Sequence, residues 1–276
     1  MEQSLARRSR LSRSADLLSS ARTGFSLVEL SIVLVILGLL TGGILTGQNL
    51  IRAAELRSVV SDFQRYQAAA RTFQSKYFAL PGDMTNATAF WGDNSTYCAD
   101  AAVADGSPGT CNGNGDGYID RGTVVNQEGE LFLFWQHLAN AGLIEGSYTG
   151  IVGPSDTADH IFGVNAPPSK LSGAGWGSTY LNNTANTNAG IWPVDYRSWM
   201  TLGTDDGIWA DGPIMTPSEV WNIDKKLDDG RPGTGKMHSY AVTSCTDQAN
   251  NATREAAAYL LSGSNLSCSP IFNALR

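Results

Sequence analysis

Hydrophobic and polar positions follow three different schedules along this chain. From Phe25 to Leu45 the run FSLVELSIVLVILGLLTGGIL is apolar on every side, with Glu29 its one charge. As a helix it would be roughly 31 Å long, matching the hydrocarbon core of a bilayer. From Gln48 to about Phe78 the pattern becomes amphipathic. Leu56, Val59, Val60, Phe63, Tyr66, Ala70, Phe73 and Tyr77 recur near helical spacing. Arg52, Glu55, Arg57, Asp62, Arg65 and Arg71 fall on the other faces. Leu80-Pro81-Gly82-Asp83 then stops the helix. One helix is therefore predicted from about residue 26 to 78. Its first half suits a membrane or a filament core. Its second half should pack on a globular head, with the aromatic stripe as core.

Beyond Pro81 long periodicity is lost, with one exception. Gly129-Glu130-Leu131-Phe132-Leu133-Phe134-Trp135-Gln136-His137-Leu138-Ala139-Asn140-Ala141-Gly142 reads as a helix ended by glycine. A short helix is also predicted at Asn251–Leu261. Elsewhere Gly, Pro, Asn and Asp recur every few residues, which suggests short strands and long loops. Strands are predicted at Tyr148–Val152, His160–Val164, Ile208–Ala210 and Ser239–Thr243. The fold class is α+β: a long N-terminal helix and a loop-rich head with a small antiparallel sheet.

Charge changes the picture at the N-terminus. Residues 1–24 carry Arg7, Arg8, Arg10, Arg13 and Arg22 against Glu2 and Asp16, while the whole chain has a net charge of −7. A basic start before an apolar run stays in the cytoplasm, and the chain beyond the run crosses the membrane. The acidic remainder argues against a nucleic-acid partner, which would need excess Lys and Arg. Charged residues are only 16% of the chain and glycines number 30, a composition that suits an extracytoplasmic, loop-rich head.

Three readings of the apolar run compete. It is too long for the core of a secretory signal, and no A-x-A cleavage site lies after it. A plain membrane anchor leaves Glu29 unexplained, since a carboxylate inside a span costs about 2.5–3.5 kcal/mol on insertion scales. The third reading cuts the chain just before the run and frees an amine there. Thr23-Gly24-Phe25-Ser26-Leu27-Val28-Glu29-Leu30 resembles the cleavage signal of type IV prepilins and type II secretion pseudopilins. The resemblance implies a pilin-like fold, cleavage of Gly24–Phe25 by a prepilin peptidase, and N-methylation of Phe25. It also implies that Glu29 serves assembly by meeting the freed amine of a neighbouring subunit. Residues 1–24 would then be a leader, 25–47 the membrane and filament-core half of the helix, 48–80 its amphipathic half, and 81–276 an extracytoplasmic head. Expected partners are other pilin subunits, the prepilin peptidase, an inner-membrane assembly platform and, before assembly, the membrane. The N-terminus would be cytoplasmic before assembly, and the filament periplasmic or at the cell surface. Major pilin, minor surface-binding (adhesin-like) pilin and pseudopilin serving protein export all remain open. Gly38, Gly42, Gly43 and Gly47 weaken the helix locally and permit close helix approach, so local melting in a filament is an expectation.

The four cysteines, Cys98, Cys111, Cys245 and Cys268, form no CxxC. In a translocated head they read as disulfides. Three pairings are possible, and the local one, Cys98–Cys111 with Cys245–Cys268, is favoured. Asn112-Gly-Asn114-Gly-Asp116-Gly117-Tyr118-Ile119-Asp120 places oxygen ligands as a calcium loop does, with a glycine at the sharp turn. Its twelfth position is Thr123 rather than Glu, so Glu130, or else Glu128, would close the site. A metal-free Gly-Asn-Asp turn cluster is the alternative. A second acidic group, Asp224, Asp228 and Asp229, can equally be neutralised by Lys225, Lys226 and Arg231, and a structured turn is the favoured reading. No HExxH, GxSxG, Walker loop or dinucleotide fingerprint occurs. No enzyme activity is expected. The histidines read as structural, and the tryptophans as core rather than a sugar-binding face.

Overall fold

The computed structural model describes residues 24–92, 109–120, 129–152, 160–182, 184–185, 190–207, 209–240, 243–248 and 254–273. The chain forms two compact units, Met1–Leu50 and Ile51–Arg276. Helix α1, Leu27–Tyr77, contributes to both. In the first unit it is apolar and exposed: Leu27, Val28, Leu30, Ile32, Val33, Leu34, Val35 and Ile36 are each half or more accessible. The helix runs unbroken through Gly38–Gly47.

In the second unit α1 buries the predicted stripe. Val59, Phe63, Tyr66, Ala69, Ala70 and Phe73 form one face. Phe63 stacks on Phe272 at 4.6 Å, and Tyr66 meets Trp135 and Trp176 edge-on at 5.0 and 5.5 Å. Each such aromatic, fully buried, is worth about 1.5–3 kcal/mol of removed apolar surface. The helix ends at Phe78, which adopts a left-handed φ of 57°, and Pro81 prevents resumption.

After the short α2 (Thr88–Trp91) comes α3 (Glu130–Asn140). Leu131, Phe132, Leu133, Phe134, Trp135 and Leu138 are all buried there. The helix lies inside the core with Glu130, Gln136 and His137 buried as well, and it packs against α1 through Trp135 and Tyr66 and against the first strand of the sheet. The antiparallel sheet comprises β1 (Gly175–Asn182), β2 (Asp195–Asp205), β3 (Ala210–Gly212), β4 (Met237–Ser239) and β5 (Pro270–Phe272). Its order is β1-β2-β5-β4, with β3 also on β2. Helix α4 (Pro217–Leu227) starts with a full capping box: Thr216 and Glu219 bond each other's backbone N–H, and Pro217 fills the first turn.

The long helix, the 129–142 helix and the α+β class agree with the sequence reading. The strands agree less. Only the ends of β3 and β4 overlap the predicted 208–210 and 239–243. Tyr148–Val152 is irregular, and 160–164 holds a single bridge, Phe162 to Ala166. The two longest strands, β1 and β2, were not anticipated. Both are buried on both faces along most of their length, so the in-out alternation that marks a half-exposed strand is missing. The predicted Asn251–Leu261 helix is one 3₁₀ turn, Arg254–Ala256, with 251–253 outside the described residues. Asp247 N–H bonds Ala258 O, and Leu260 N–H bonds Cys245 O. That ladder pairing takes the backbone groups a helix would have used.

Candidate functional site

The first site is the start of α1. Phe25 is 90% exposed, and a side chain at Gly24 would meet nothing within 4 Å. The Gly24–Phe25 bond is thus sterically open. Ser26 Oγ accepts from Val28 N–H at 3.3 Å, and Glu29 Oε2 accepts from Ser26 N–H at 2.9 Å. Ser26 thus caps the first turn of the apolar helix, and Glu29 returns a bond to the Ser26 N–H. The sequence reading tied Glu29 to a neighbour's amine alone and missed this local partner, although the S-x-x-E spacing was present.

The second site gathers around the N-terminus of α3. Glu130 and Asp83 are each 5% exposed. Glu130 Oε1 accepts from Asn114 N–H at 2.8 Å, and Oε2 from Asp120 N–H at 3.2 Å. Asp83 Oδ1 accepts from Gly115 N–H at 2.6 Å, and Oδ2 from Gly117 N–H at 2.9 Å. The 114–120 loop thus wraps two buried carboxylates. Asp116 Oδ1 accepts from Tyr118 N–H and Asn114 Oδ1 from Asp116 N–H, two tight Asx turns. One carboxylate oxygen from each of Asp83, Asp116 and Glu130 lies within 4.8 Å of the others. Burial pushes Glu130 up to about 7, against the pull of the Asn114 and Asp120 N–H groups and with Asp83 and Asp120 adding repulsion. Burial also raises Asp83, opposed by the Gly117 and Gly115 N–H bonds. Three close carboxylates, with no nitrogen or sulfur donor among them, make an oxygen-only pocket of the kind hard cations prefer.

The predicted ligands are only partly united here. Asp116 and Glu130 come together, 14 residues apart in sequence. Asn112 turns its Oδ1 to Thr88 N–H instead. The Tyr118 ring packs against Tyr180 at 4.2 Å in a tilted arrangement, and Asp120 meets Glu130 through its backbone N–H. Glu128 lies outside the described residues. Asp83 was missed, because it reads as part of the helix stop and no spacing links it to a loop near residue 115. What joins them is His137, fully buried on α3. Its Nδ1 accepts from Gly82 N–H at 3.0 Å, which places the proton on Nε2, 3.1 Å from Thr110 Oγ1 and from Cys111 O. Gly82 has φ 88°, and a Cβ there would strike the Glu130 carbonyl, so a glycine lets the helix stop lie against α3.

Cys245 and Cys268 are bonded, with Cα atoms 5.2 Å apart. Cys111 is also disulfide-bonded, and its expected partner Cys98 lies outside the described residues. The tryptophans Trp135, Trp176, Trp192 and Trp199 are fully buried core.

No curated protein and no solved structure matches the chain. Residues 19–45 match the family model described as the Prokaryotic N-terminal methylation motif. Around Gly24, Phe25 and Glu29, the chain carries the cleavage and methylation signal of type IV prepilins and pseudopilins.

Proposed function

We propose that the chain is a structural subunit of a type IV pilus-like filament, matured by cleavage at Gly24–Phe25 and assembled through α1. One observation carries this: a methylation signal stands directly before a helix whose apolar residues are exposed all round. Such a surface needs a bilayer or other copies of the helix to cover it. The freed, N-methylated Phe25 amine then sits one residue before the Ser26 N–H that holds Glu29. It offers Glu29 a cationic partner within the bundle. The loop around Asp83, Asp116 and Glu130 acts as a calcium site that fixes the head after export. Its two buried carboxylates and one exposed one suit the weak, extracellular grade of affinity, about 10⁻⁴–10⁻³ M. No catalytic role is assigned to the head.

Mass spectrometry of the chain from filament-bearing cells tests the reading. The expected N-terminus is N-methylated Phe25, and Gly24→Ala should block cutting and leave the chain in the inner membrane. An uncut wild-type chain, or a different N-terminus, defeats the proposal. Abundance in sheared filaments separates the subtypes. A major pilin dominates the preparation, a minor surface-binding pilin is scarce, and a secretion pseudopilin is absent from surface fibres.

A further inference from the structure

The acidic group at the end of α4 forms a structured turn, with Asp229 accepting from Arg231 N–H and the Thr234 hydroxyl, but the expected neutralisation by neighbouring cations is not seen among the described residues. Asp224, Asp228 and Asp229 bring one carboxylate oxygen each within 4.8 Å of one another. The cations expected to neutralise them face elsewhere. Lys225 Nζ lies over the Trp221 ring, 4.8 Å from its centre. Arg231 Nη1 donates to the Glu255 carbonyl at 2.8 Å. Lys226 is exposed. Among the described residues, no ion pair reaches any of the three acids.

Asp224 supplies the independent sign of a missing ligand. It is wholly buried. Its Oδ2 accepts from Tyr259 Oη–H at 2.8 Å, and the Gly230 N–H approaches the carboxylate, while Oδ1 has no hydrogen bond of normal geometry among the described residues. A buried carboxylate oxygen without a good partner is costly unless a cation or a proton meets it. The other two acids are held ready. Asp228 accepts from Lys236 N–H, and Asp229 accepts from Arg231 N–H and the Thr234 hydroxyl. These bonds fix both side chains and leave further lone pairs open. Burial, aided by Asp229 and Asp228, also raises Asp224 to about 7 against the Tyr259 and Gly230 N–H bonds.

We propose that Asp224, Asp228 and Asp229 form a second divalent-cation site, of the calcium type, at the C-terminal end of α4. Three carboxylates with no His or Cys select a hard, oxygen-seeking cation. The orphaned Asp224 Oδ1 becomes a ligand, and the 228–236 loop closes over the ion. Through Tyr259 the same ion steadies the segment beside the Cys245–Cys268 bridge.

The test titrates calcium chloride by calorimetry into the mature chain in detergent, after chelator treatment. The wild type is compared with Asp116→Ala, Asp224→Asn and Asp229→Asn. Asp229 is exposed, so its substitution keeps the test meaningful should Asp224→Asn fail to fold. The expected result is a calcium-binding event that survives Asp116→Ala and weakens at least tenfold in Asp229→Asn, and in Asp224→Asn where folded. The site is overturned if the wild type gives no calcium heat, if Asp116→Ala removes all of it, or if Asp229→Asn binds calcium as the wild type does.

Discussion

Arg52 and Glu219 sit 167 residues apart and tie α4 to α1. Arg52 Nε donates to Glu219 Oε1 at 2.6 Å and Nη2 to Oε2 at 2.9 Å, a two-pronged pair. Nη2 also donates to the Ile214 carbonyl, and Nη1 to Glu55. Glu219 Oε2 accepts from Thr216 N–H as well, so one carboxylate caps α4 and grips α1. Removing it with Glu219→Ala should cost two contributions. The cap is worth about 1 kcal/mol. The charged pair would be worth about 1.5–3 kcal/mol if dry, but the side chains are 33% and 19% exposed. Screening cuts it to about 1–1.5 kcal/mol. The sum is about 2–2.5 kcal/mol, or roughly 4–10 °C in melting temperature for a unit of this size.

Tryptophan fluorescence of the mature chain in detergent reads this cleanly, because every tryptophan lies between Trp91 and Trp221, in the second unit. A double-mutant cycle with Arg52→Ala isolates the pair, and a coupling of about 1 kcal/mol is expected. Glu219→Gln should retain most of the cap but lose the coupling. The pH dependence has a definite sign. Burial pushes Glu219 up, but the Arg52 guanidinium and the Thr216 N–H hold it net below its usual 4.5. The coupling should be whole above pH 4.5 and vanish as pH falls through the depressed folded-state value. If Glu219→Ala and Arg52→Ala add within about 0.3 kcal/mol at pH 7, the pair does not join the helices.

Two further outcomes concern the packing beneath the acidic loop. Gly82→Ala forces a side chain into left-handed φ and against the Glu130 carbonyl, and should cost more than about 3 kcal/mol. Gly117→Ala, with the same φ of 88° but open space around it, should cost only about 1–2 kcal/mol, and thermal melts that rank the two equally would exclude the interlocking of Gly82 with α3. His137 is pushed down to about 4 by burial, against the Cys111 carbonyl bond. Its unfolded form takes up a proton near 6.5 while the folded form resists, so stability falls as pH drops. The difference between wild type and His137→Gln should narrow by about 2 kcal/mol between pH 7 and 5 in urea titrations; parallel curves would show that His137 does not stay neutral.

The parts of this fold that sequence exposed are those with one period and one environment. The α1 stripe from Val59 to Phe73 is helical, one-sided and free of proline, so its burial follows from spacing alone. Helix α3 was legible by its length and its closing glycine. Helix α4 was overlooked although Thr216-Pro217-Ser218-Glu219 spells its start, because its polar sequence draws the eye to acids rather than to the cap. Strands β1 and β2 were hidden by being buried on both faces, with Gly175, Gly177 and Gly203 standing where bulk cannot fit. In the acidic site, Asp116 was readable from loop spacing and Glu130 from its place at the start of the predicted helix, whereas Asp83 was not. Its place depends on His137 and Gly82, a contact across 55 residues that no local pattern encodes.

The apolar half of α1 sets a problem that burial alone does not solve. Lipid tails are about as apolar as the leucines and isoleucines of a neighbouring helix, so moving Leu27–Leu50 from bilayer to filament gains little from the hydrophobic effect. On the proposed function, preference for a filament, and its register, would have to come from features that lipid cannot satisfy. The exposed half has few. Gly38, Gly42, Gly43 and Gly47 leave open notches, with nothing within 4 Å of a Cβ placed at any of them, and these allow helices to approach closely. Thr41 and Thr46 return their hydroxyls to the helix backbone and so offer little to a neighbour. Glu29 remains as the charged feature, and its capping bond engages only Oε2. In lipid that bond would offset part of the cost of the carboxylate, so that on the proposed function the subunit could wait in the membrane. In a bundle Oε1 still has lone pairs for a methylated amine. On the proposed assembly, the local cap and an intersubunit pair would be successive partners of one side chain: the first would make Glu29 tolerable before assembly, and the second would make assembly selective.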